Sequence, residues 1–150
     1  MASNLETHLG YWLRFVSSHV SHAFSLKLQA YDVTVAEWVV LRELFDGDGD
    51  GASPSALADR LGMTRGAISK LADRLIAKDL IGRTVSTEDR RQQTLALTAA
   101  GRKLVPALSA LADRNDAEFF GHLPPSERAA LEKTLRNIVR RHDLKTIPTE

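Results

Sequence analysis

Cysteine is absent from the 150 residues, and no uninterrupted apolar run approaches the length of a membrane-spanning helix. The lack of cysteine excludes disulfide bonds and thiol-based redox sensing. The N-terminus also lacks the basic and then apolar pattern of a secretion signal. These absences together predict a cytoplasmic protein that has no membrane partner.

The sequence also lacks the local motifs of common enzymes. Serines are plentiful, but there is no G-x-S-x-G elbow, no P-loop and no glycine-rich phosphate fingerprint. We therefore expect neither an enzymatic activity nor a cofactor. The length and the 43% hydrophobic content suit one domain with its own core, so residues 1–150 are interpreted as a single domain.

The net charge of +1 hides a strong local imbalance. Ten basic and four acidic residues lie between Arg60 and Lys103, which gives this segment a charge of +6 and the remainder −5. A DNA-binding protein needs positive potential where it meets phosphate groups and not elsewhere. The segment is therefore the candidate for contact with double-stranded DNA.

The same segment contains the signals of two short helices joined by a tight turn, over about residues 53–78. Ser53 and Pro54 can begin the first helix, Gly62 can end it, and Thr64 can cap the second. Apolar residues then follow helical spacing along one side, at Ile68, Leu71, Ala72 and Leu75. The other side is polar and small, as a helix in a DNA major groove requires.

Beyond residue 79 the apolar pattern changes from helical spacing to alternation. The segments Ile81–Ser86 and Thr94–Thr98 predict a two-stranded hairpin over about residues 80–98. Its tip contains Arg90 and Arg91, which can reach a phosphate or a narrow minor groove. Two short helices followed by such a hairpin form a winged helix-turn-helix, so the fold class is mainly α (α+β).

Longer helices flank this unit on both sides, over about residues 4–30 and 99–143. Ser3 with Glu6, and Thr34 with Glu37, form capping-box patterns before the first two helices of the chain. Thr98 can cap the helix that follows the hairpin. We expect either a kink or a local compensation at Pro106 inside that helix.

The flanking helices carry more apolar surface than a monomer of this size is expected to cover. This predicts a homodimer in which the N-terminal and C-terminal helices of the two subunits intertwine. The expected contact residues are Leu9, Leu13, Leu123, Leu131 and Leu135.

Two features invite a metal hypothesis. The loop Asp46–Gly51 matches the first half of a calcium-binding loop, but Leu57 stands where the bidentate glutamate is required. We interpret the loop as a solvated turn. His19 and His22 share a helix face without a third ligand nearby in sequence, which favours solvent-facing or interface histidines. No metal site is assigned, and a metal-responsive protein with ligands from separate helices stays an alternative.

The ordered motifs resemble the multiple-antibiotic-resistance-regulator (MarR) family of bacterial transcription factors, and the resemblance covers nearly the whole chain. The most specific matches are Leu57–Gly62, Ser69–Leu75, Leu80–Arg83, Asp89–Arg91 and Leu95–Thr98. The resemblance implies a ligand-responsive repressor that binds a pseudo-palindromic operator as a homodimer. Without cysteine, the chain cannot use the oxidation sensing of some members of the family.

The second helix of the helix-turn-helix is the expected reader of DNA. Arg65, Ser69 and Lys70 are expected nearest the base edges, and Thr64 and Arg74 nearer the phosphates.

In the family's wing pattern an aspartate braces the arginine two residues later, which here implies that Asp89 braces Arg91. Arg90 can contact either the groove or the backbone. The rival interpretation is a winged helix used only for protein interactions. The segment charge of +6 and the paired arginines count against it.

Five residues of the first two helices form a candidate effector pocket: Trp12, Phe15, His19, Trp38 and Arg42. Plain hydrophobic core is one interpretation of their spacing. The resemblance implies another, because small aromatic or phenolic ligands often bind in this family between the dimer helices and the reader. Two tryptophans with a histidine and an arginine suit an aromatic acid.

Overall fold

The structure is a computed structural model, and it describes residues 2–47, 49–86, 88–89 and 92–145. In these residues the chain forms six α-helices and one antiparallel two-stranded sheet. The elements are α1 (Leu9–Leu28), α2 (Val35–Asp46), α3 (Pro54–Leu61), α4 (Arg65–Ala77), β1 (Ile81–Val85), β2 (Gln93–Leu97), α5 (Ala99–Phe120) and α6 (Pro125–Arg141). Short 3₁₀ turns, Leu5–Thr7 and Gln29–Tyr31, precede and follow α1.

The N-terminal helix begins later than the sequence predicts, because the capping box of Ser3 and Glu6 does not form. Asn4 occupies the cap position of the first 3₁₀ turn without a side-chain hydrogen bond. His8 is extended, with φ −94° and ψ 124°, and separates this turn from α1. The Ser3 hydroxyl lies 3.4 Å from His8 Nε2 instead of accepting a backbone N–H. All of these residues are exposed, so no packing holds the cap in place.

The other predicted helix starts are confirmed. The backbone N–H of Glu37 donates to Thr34 Oγ1 at 3.1 Å, and the backbone N–H of Thr34 donates to Glu37 Oε1 at 2.8 Å. This reciprocal pair is the capping box of α2. Hydroxyls cap three further helices: Ser53 caps α3, Thr64 caps α4 and Thr98 caps α5.

Helix α5 is continuous through Pro106. Proline removes the hydrogen bond to the carbonyl of Arg102, four residues earlier. Pro106 and Arg102 are both exposed, so water can satisfy that carbonyl. The helix is therefore unbroken at Pro106, and the kink or compensating register expected near Arg102 stays a prediction.

One hydrophobic core joins the end of α1 to α2, α3, α4, the sheet and the first half of α5. Its largest fully buried apolar residues are Leu28, Val40, Leu41, Leu57, Ile68, Leu75, Ile81, Leu95, Val105 and Leu108. Helix α6 buries none of its residues, and the first half of α1 lies outside the core as well. None of the helices within the described ranges is long and apolar enough to cross a membrane.

The loop after α2 turns as the sequence predicts. Gly49 and Gly51 have φ of 89° and 90°. Ala52 then exchanges two backbone hydrogen bonds with Leu95 of β2, at 2.9 and 2.8 Å.

Asp48, a member of the calcium-loop pattern, lies outside the described residues. Among those described, no three histidine, aspartate or glutamate side chains come together as a metal site.

Helix α5 begins in direct contact with the segment that joins α4 to β1. The backbone N–H of Thr98 donates to the Leu80 carbonyl at 3.1 Å, and its hydroxyl donates to the Asp79 carbonyl at 2.7 Å. A Cβ added at Gly101 would lie 2.0 Å from the Leu80 carbonyl oxygen. Only glycine permits this close approach, which fixes the start of α5 against the base of the hairpin.

Candidate nucleic-acid interface

The helix-turn-helix predicted from the sequence is confirmed as α3, a short turn and α4. Gly62 ends α3 in the left-handed conformation, with φ 65° and ψ 34°. The backbone N–H of Met63 donates to the Ala58 carbonyl at 3.0 Å, which closes the turn. Leu57 of α3 and Ile68 of α4 are both fully buried in the same hydrophobic core.

Helix α4 has one buried and one exposed face. Its buried residues are Ile68, Leu71, Ala72 and Leu75. The expected DNA contacts are all exposed: Thr64, Arg65, Ser69, Lys70 and Arg74. Their spacing puts them along the face opposite the core, so this face is available to a partner as large as DNA.

Two arginines near this face have protein partners that the sequence did not predict. The guanidinium of Arg65 donates to the hydroxyl of Ser55 on α3. Arg83 on β1 donates to Asp73 on α4 at 3.0 Å. Both bonds link different elements, so only the folded arrangement brings the partners together. The alternation of β1 assigns Arg83 to one face of the strand but does not show which face meets α4.

A cleft of about 630 Å³ separates the starts of α3 and α4 from β2. Its lining includes Ser53, Ser55, Arg65, Ser69, Gln92 and Thr94. Hydroxyl, amide and guanidinium groups are the side-chain groups that commonly contact DNA phosphates. Sequence reasoning did not predict that Ser53, Ser55, Gln92 and Thr94 line one cleft, because only the folded chain brings the hairpin opposite the starts of α3 and α4.

The described residues at the tip of the hairpin form a closed turn. Ser86 donates its backbone N–H to the Gln92 carbonyl at 3.0 Å, and Gln92 donates its own to the Asp89 carbonyl at 3.0 Å. Arg90 and Arg91 lie outside the described residues. The bracing of Arg91 by Asp89 therefore stays a prediction.

The structure divides the candidate effector residues between two helices. Trp12, Phe15 and His19 lie on α1, where the Phe15 and His19 rings stack with centroids 5.0 Å apart. Trp38 instead packs edge to face against Phe24, with centroids 6.1 Å apart. Trp12 and Phe15 are 47% and 49% exposed, so in the single chain they are not core residues.

Arg42 lies farther along α2 and has its own partners. It donates to Asp46 at 2.9 Å and to the hydroxyl of Ser109 on α5 at 2.6 Å. Its guanidinium also lies 5.7 Å from the centroid of the Phe45 ring. These contacts direct Arg42 to α5 rather than to the aromatic group on α1.

A groove of about 590 Å³ runs along the first half of α1 beside Phe15 and His19. Tyr11 and Arg14, which sequence reasoning did not single out, also line it. The Tyr11 ring meets Trp12 edge to face at 5.1 Å. The groove thus combines aromatic surface with one cation, a combination that suits an aromatic acid.

The residues expected at a dimer contact are mostly exposed in the single chain. Leu9 and Leu13 on α1 are 80% and 48% exposed, and Leu131 and Leu135 on α6 are 42% and 39% exposed. Leu123, in the turn before α6, is half-buried. Contiguous apolar residues of this kind on two helices are typical of a protein interface.

Comparison of the sequence with known proteins gives a consistent result. Residues 31–92 match the sequence model described as MarR family. The HTH-type transcriptional regulator PrsX of Escherichia coli is 30% identical over 105 residues, which are 70% of this chain. The match spans 63% of the length of PrsX, less than two thirds of that relative.

Solved structures with the same architecture include complexes with DNA and with a ligand. The S. aureus MepR–DNA complex has a TM-score of 0.83 and 26% identity, covering 89% of this chain and 98% of that chain. CouR from Rhodococcus jostii, bound to p-coumaroyl-CoA, has a TM-score of 0.79 and 25% identity. That match covers 99% of this chain and all of CouR. These likenesses confirm the winged helix-turn-helix fold class.

Proposed function

The chain belongs to the MarR family of transcriptional regulators, and from this we propose that it is a ligand-responsive repressor that binds a pseudo-palindromic operator as a homodimer. Members of the family are transcriptional regulators and not enzymes. The observation that carries the proposal is the exposed polar face of α4. It lies opposite a fully packed core and within the segment of charge +6.

Helix α4 enters a major groove in this proposal. Arg65, Ser69 and Lys70 lie nearest the base edges, and Thr64 and Arg74 contact phosphates. The hydroxyl of Ser55 accepts a hydrogen bond from the Arg65 guanidinium within the subunit, which reduces the side-chain freedom that Arg65 loses on binding.

The cleft between α4 and β2 receives the DNA backbone. When α4 occupies a major groove and the hairpin the flanking minor groove, the strand between the two grooves passes this cleft. Ser53, Ser55 and Thr94 can donate hydroxyl protons to its phosphates. At the tip, Arg91 braced by Asp89 enters the minor groove, and Arg90 contacts the groove or the backbone.

The homodimer places two such readers on one face of the DNA. Its contact uses the exposed leucines of α1 and α6, which have no core to cover them within one chain. A two-fold axis between the subunits requires a roughly palindromic site with half-sites about one helical turn apart.

The effector is a small aromatic acid in this proposal. The support is the aromatic group of α1, with Trp12, Phe15 and His19, and the guanidinium of Arg14, which lines the same groove as Phe15 and His19. CouR, which has the same fold, is bound to p-coumaroyl-CoA, a thioester of an aromatic acid. A ligand that favours one spacing of the two readers shifts the DNA affinity by a coupling free energy of roughly 1–3 kcal/mol.

Selection from a randomised duplex pool tests DNA recognition and identifies the preferred operator sequence in the same experiment. The expected product is a palindrome with half-sites about one helical turn apart, bound with an affinity that falls steeply with salt concentration. Binding without sequence preference would contradict the operator proposal. No binding at all would move the protein-interaction module ahead of it.

A thermal-shift screen of aromatic carboxylates, with and without the selected duplex, tests the effector. A ligand that binds and releases DNA should raise the melting temperature of the protein alone and lower the extra stabilisation that the duplex supplies. If no compound shifts either curve, a constitutive DNA binder replaces the ligand-responsive one.

A further inference from the structure

An ion pair between a buried carboxylate and a partly exposed ammonium joins the end of α4 to the start of α2. Glu37, in the first turn of α2, is completely buried. Lys78 follows the last residue of α4, and its Nζ lies 3.0 Å from both carboxylate oxygens of Glu37. The same Nζ donates to the backbone carbonyl of Asp32 at 2.6 Å. One ammonium group therefore holds the end of α4 to the junction between α1 and α2.

The Glu37 carboxyl is ionised at neutral pH. Burial alone raises the pKa of the Glu37 carboxyl, but hydrogen bonds from the Thr34 backbone and from Lys78 outweigh it, and the pKa lies below its ordinary value of 4.5. The positive end of the α2 dipole favours the carboxylate, and the negative end of the α4 dipole favours the ammonium.

Glu37 depends on Lys78 for part of its charge compensation. Within the described part of the chain, Glu37 Oε2 accepts no hydrogen bond and has the ammonium of Lys78 at 3.0 Å as its charged partner. Charge-assisted contacts are directional, whereas apolar packing is not. The pair therefore restricts the orientation of α4 in a way that the surrounding leucines do not.

Among the described residues, the other side-chain hydrogen bonds that link α4 to a neighbouring element stay within the winged helix-turn-helix. Arg65 bonds α3, and Asp73 bonds β1. Lys78 instead reaches Asp32, which lies four residues beyond the end of the proposed dimer helix α1. A change in the Glu37–Lys78 contact thus alters how the reader sits on the rest of the subunit.

We propose that Glu37 and Lys78 are a positioning pair that sets the angle of α4 relative to α1 and α2, and thereby the half-site spacing that the dimer recognises. The proposal rests on the proposed homodimeric DNA binder. It adds that discrimination between operator spacings depends on two residues that do not contact DNA.

The informative variant removes both charges together. Lys78→Met alone leaves a buried carboxylate without its cation and destabilises the fold. Glu37→Gln/Lys78→Met removes the charge from both sides and keeps a carbonyl acceptor for the Thr34 backbone N–H. The matched control is Glu43→Gln/Arg60→Met, which removes a contact of 3.7 Å between the half-buried Glu43 of α2 and the exposed Arg60 of α3.

The first readout is the tolerance of operator spacing. The probes are the palindrome selected with the unaltered protein, its derivatives with one base pair added or removed at the centre, and a single half-site. In the double variant, the ratio of the affinities for the selected and the altered spacings should fall about tenfold, while the affinity for the half-site stays unchanged. The control variant should keep the half-site affinity of the parent as well. A folded double variant with the spacing profile of the parent overturns the proposal. A general loss of stability cannot imitate the expected result, because it lowers the affinity for all probes by the same factor.

The second readout needs no DNA. The chain has no cysteine, so Ser69→Cys introduces one spin label per reader helix. The distance distribution between the two labels should be narrow in the parent background and broader or shifted with Glu37→Gln/Lys78→Met. A dimer with an unchanged distribution overturns the positioning role alone. If light scattering shows that the parent protein is a monomer, the proposed homodimer is overturned. The Glu37–Lys78 pair then has no distance between two readers to set.

Discussion

Arg83 on the wing strand donates to the carboxylate of Asp73 on α4 over 3.0 Å. Asp73 is the acidic residue of a face that otherwise presents Arg65, Lys70 and Arg74, and its side chain is 69% exposed. An exposed ion pair contributes little to stability. Its consequence is electrostatic, because Arg83 neutralises an acid on the surface that we propose for phosphate contact.

Replacing Arg83 by methionine should weaken DNA binding by about 1 kcal/mol, because the uncovered Asp73 carboxylate then repels phosphate. Asp73→Asn/Arg83→Met should recover part of this loss. The measurement is fluorescence anisotropy with the selected duplex, and Arg114→Met on the exposed side of α5 is the control for lost positive charge. Equal affinities of the single and double variants would show that Arg83 acts through its own charge only.

Loss of Arg65 and loss of Arg91 should affect DNA binding in different ways. Arg65→Ala should cost about 1–3 kcal/mol and relax the preference at one base position if the side chain reads guanine. Arg91→Ala should weaken binding to all sequences, with an extra loss at A·T-rich flanks. The slope of log affinity against log salt concentration should also decrease by the contribution of about one phosphate contact. Titrations at two salt concentrations separate the two patterns. If both variants bind like the parent, the reader and the wing are misassigned.

A charge in the proposed dimer contact should separate the subunits. Leu13→Asp places a carboxylate where the second copy buries Leu13, so light scattering should give the 16.5 kDa of a single chain, against twice that mass for the parent. Val85→Asp is the control, since Val85 is an equally exposed apolar residue on the wing, at 44%. A dimeric Leu13→Asp variant, or a monomeric parent, would contradict the contact.

Glu37 should make stability depend on pH in acid solution. Its pKa is lower in the folded protein than the ordinary 4.5, so its contribution is complete above 4.5 and is lost as the pH falls through the folded value. In Glu37→Gln the free energy of unfolding should therefore fall less steeply below pH 4.5. Urea unfolding at fixed protein concentration measures this. The comparison variant is Glu132→Gln, with a side chain 66% exposed, which should follow the parent.

The approach of α5 to the hairpin should make Gly101 intolerant of a methyl group. Gly101→Ala puts a Cβ 2.0 Å from the Leu80 carbonyl oxygen, and the required shift should cost about 1–3 kcal/mol of unfolding free energy. Gly82→Ala is matched to it, because nothing lies within 4 Å of a Cβ at that position. Equal urea midpoints for the two variants would show that the start of α5 can move at little cost.

Local chemistry is the part of this fold that the sequence predicts best. The residues that cap α2, α3, α4 and α5 are read directly from Thr34, Ser53, Thr64 and Thr98, since a cap involves neighbours three residues apart. Ser3 shows the limit of that reasoning. The same pattern fails there because the exposed N-terminus lacks packing to hold it.

The contacts that position the candidate site could not be predicted, because they join residues that are far apart along the chain. In the sequence, Lys78 is one of several basic residues in and after α4. Nothing in its local sequence indicates that it contacts Glu37, 41 residues earlier. The partners of the candidate effector residues are likewise set by the fold. The resemblance to the family groups the five residues, and the folded chain brings Trp38 to Phe24 of α1 and Arg42 to Ser109 of α5.

The close approach at Gly101 fixes the start of α5 to the base of the wing, and the second half of the same helix is fixed to α1. There the buried Asn115 donates to the Val20 carbonyl of α1 over 3.1 Å. The 22 residues of α5 span about 33 Å, so one helix joins the wing to α1 and, through the turn after Phe120, to α6. A rotation of the wing that carries α5 with it must therefore also strain the contact with α1, the helix whose exposed leucines we assign to the second subunit.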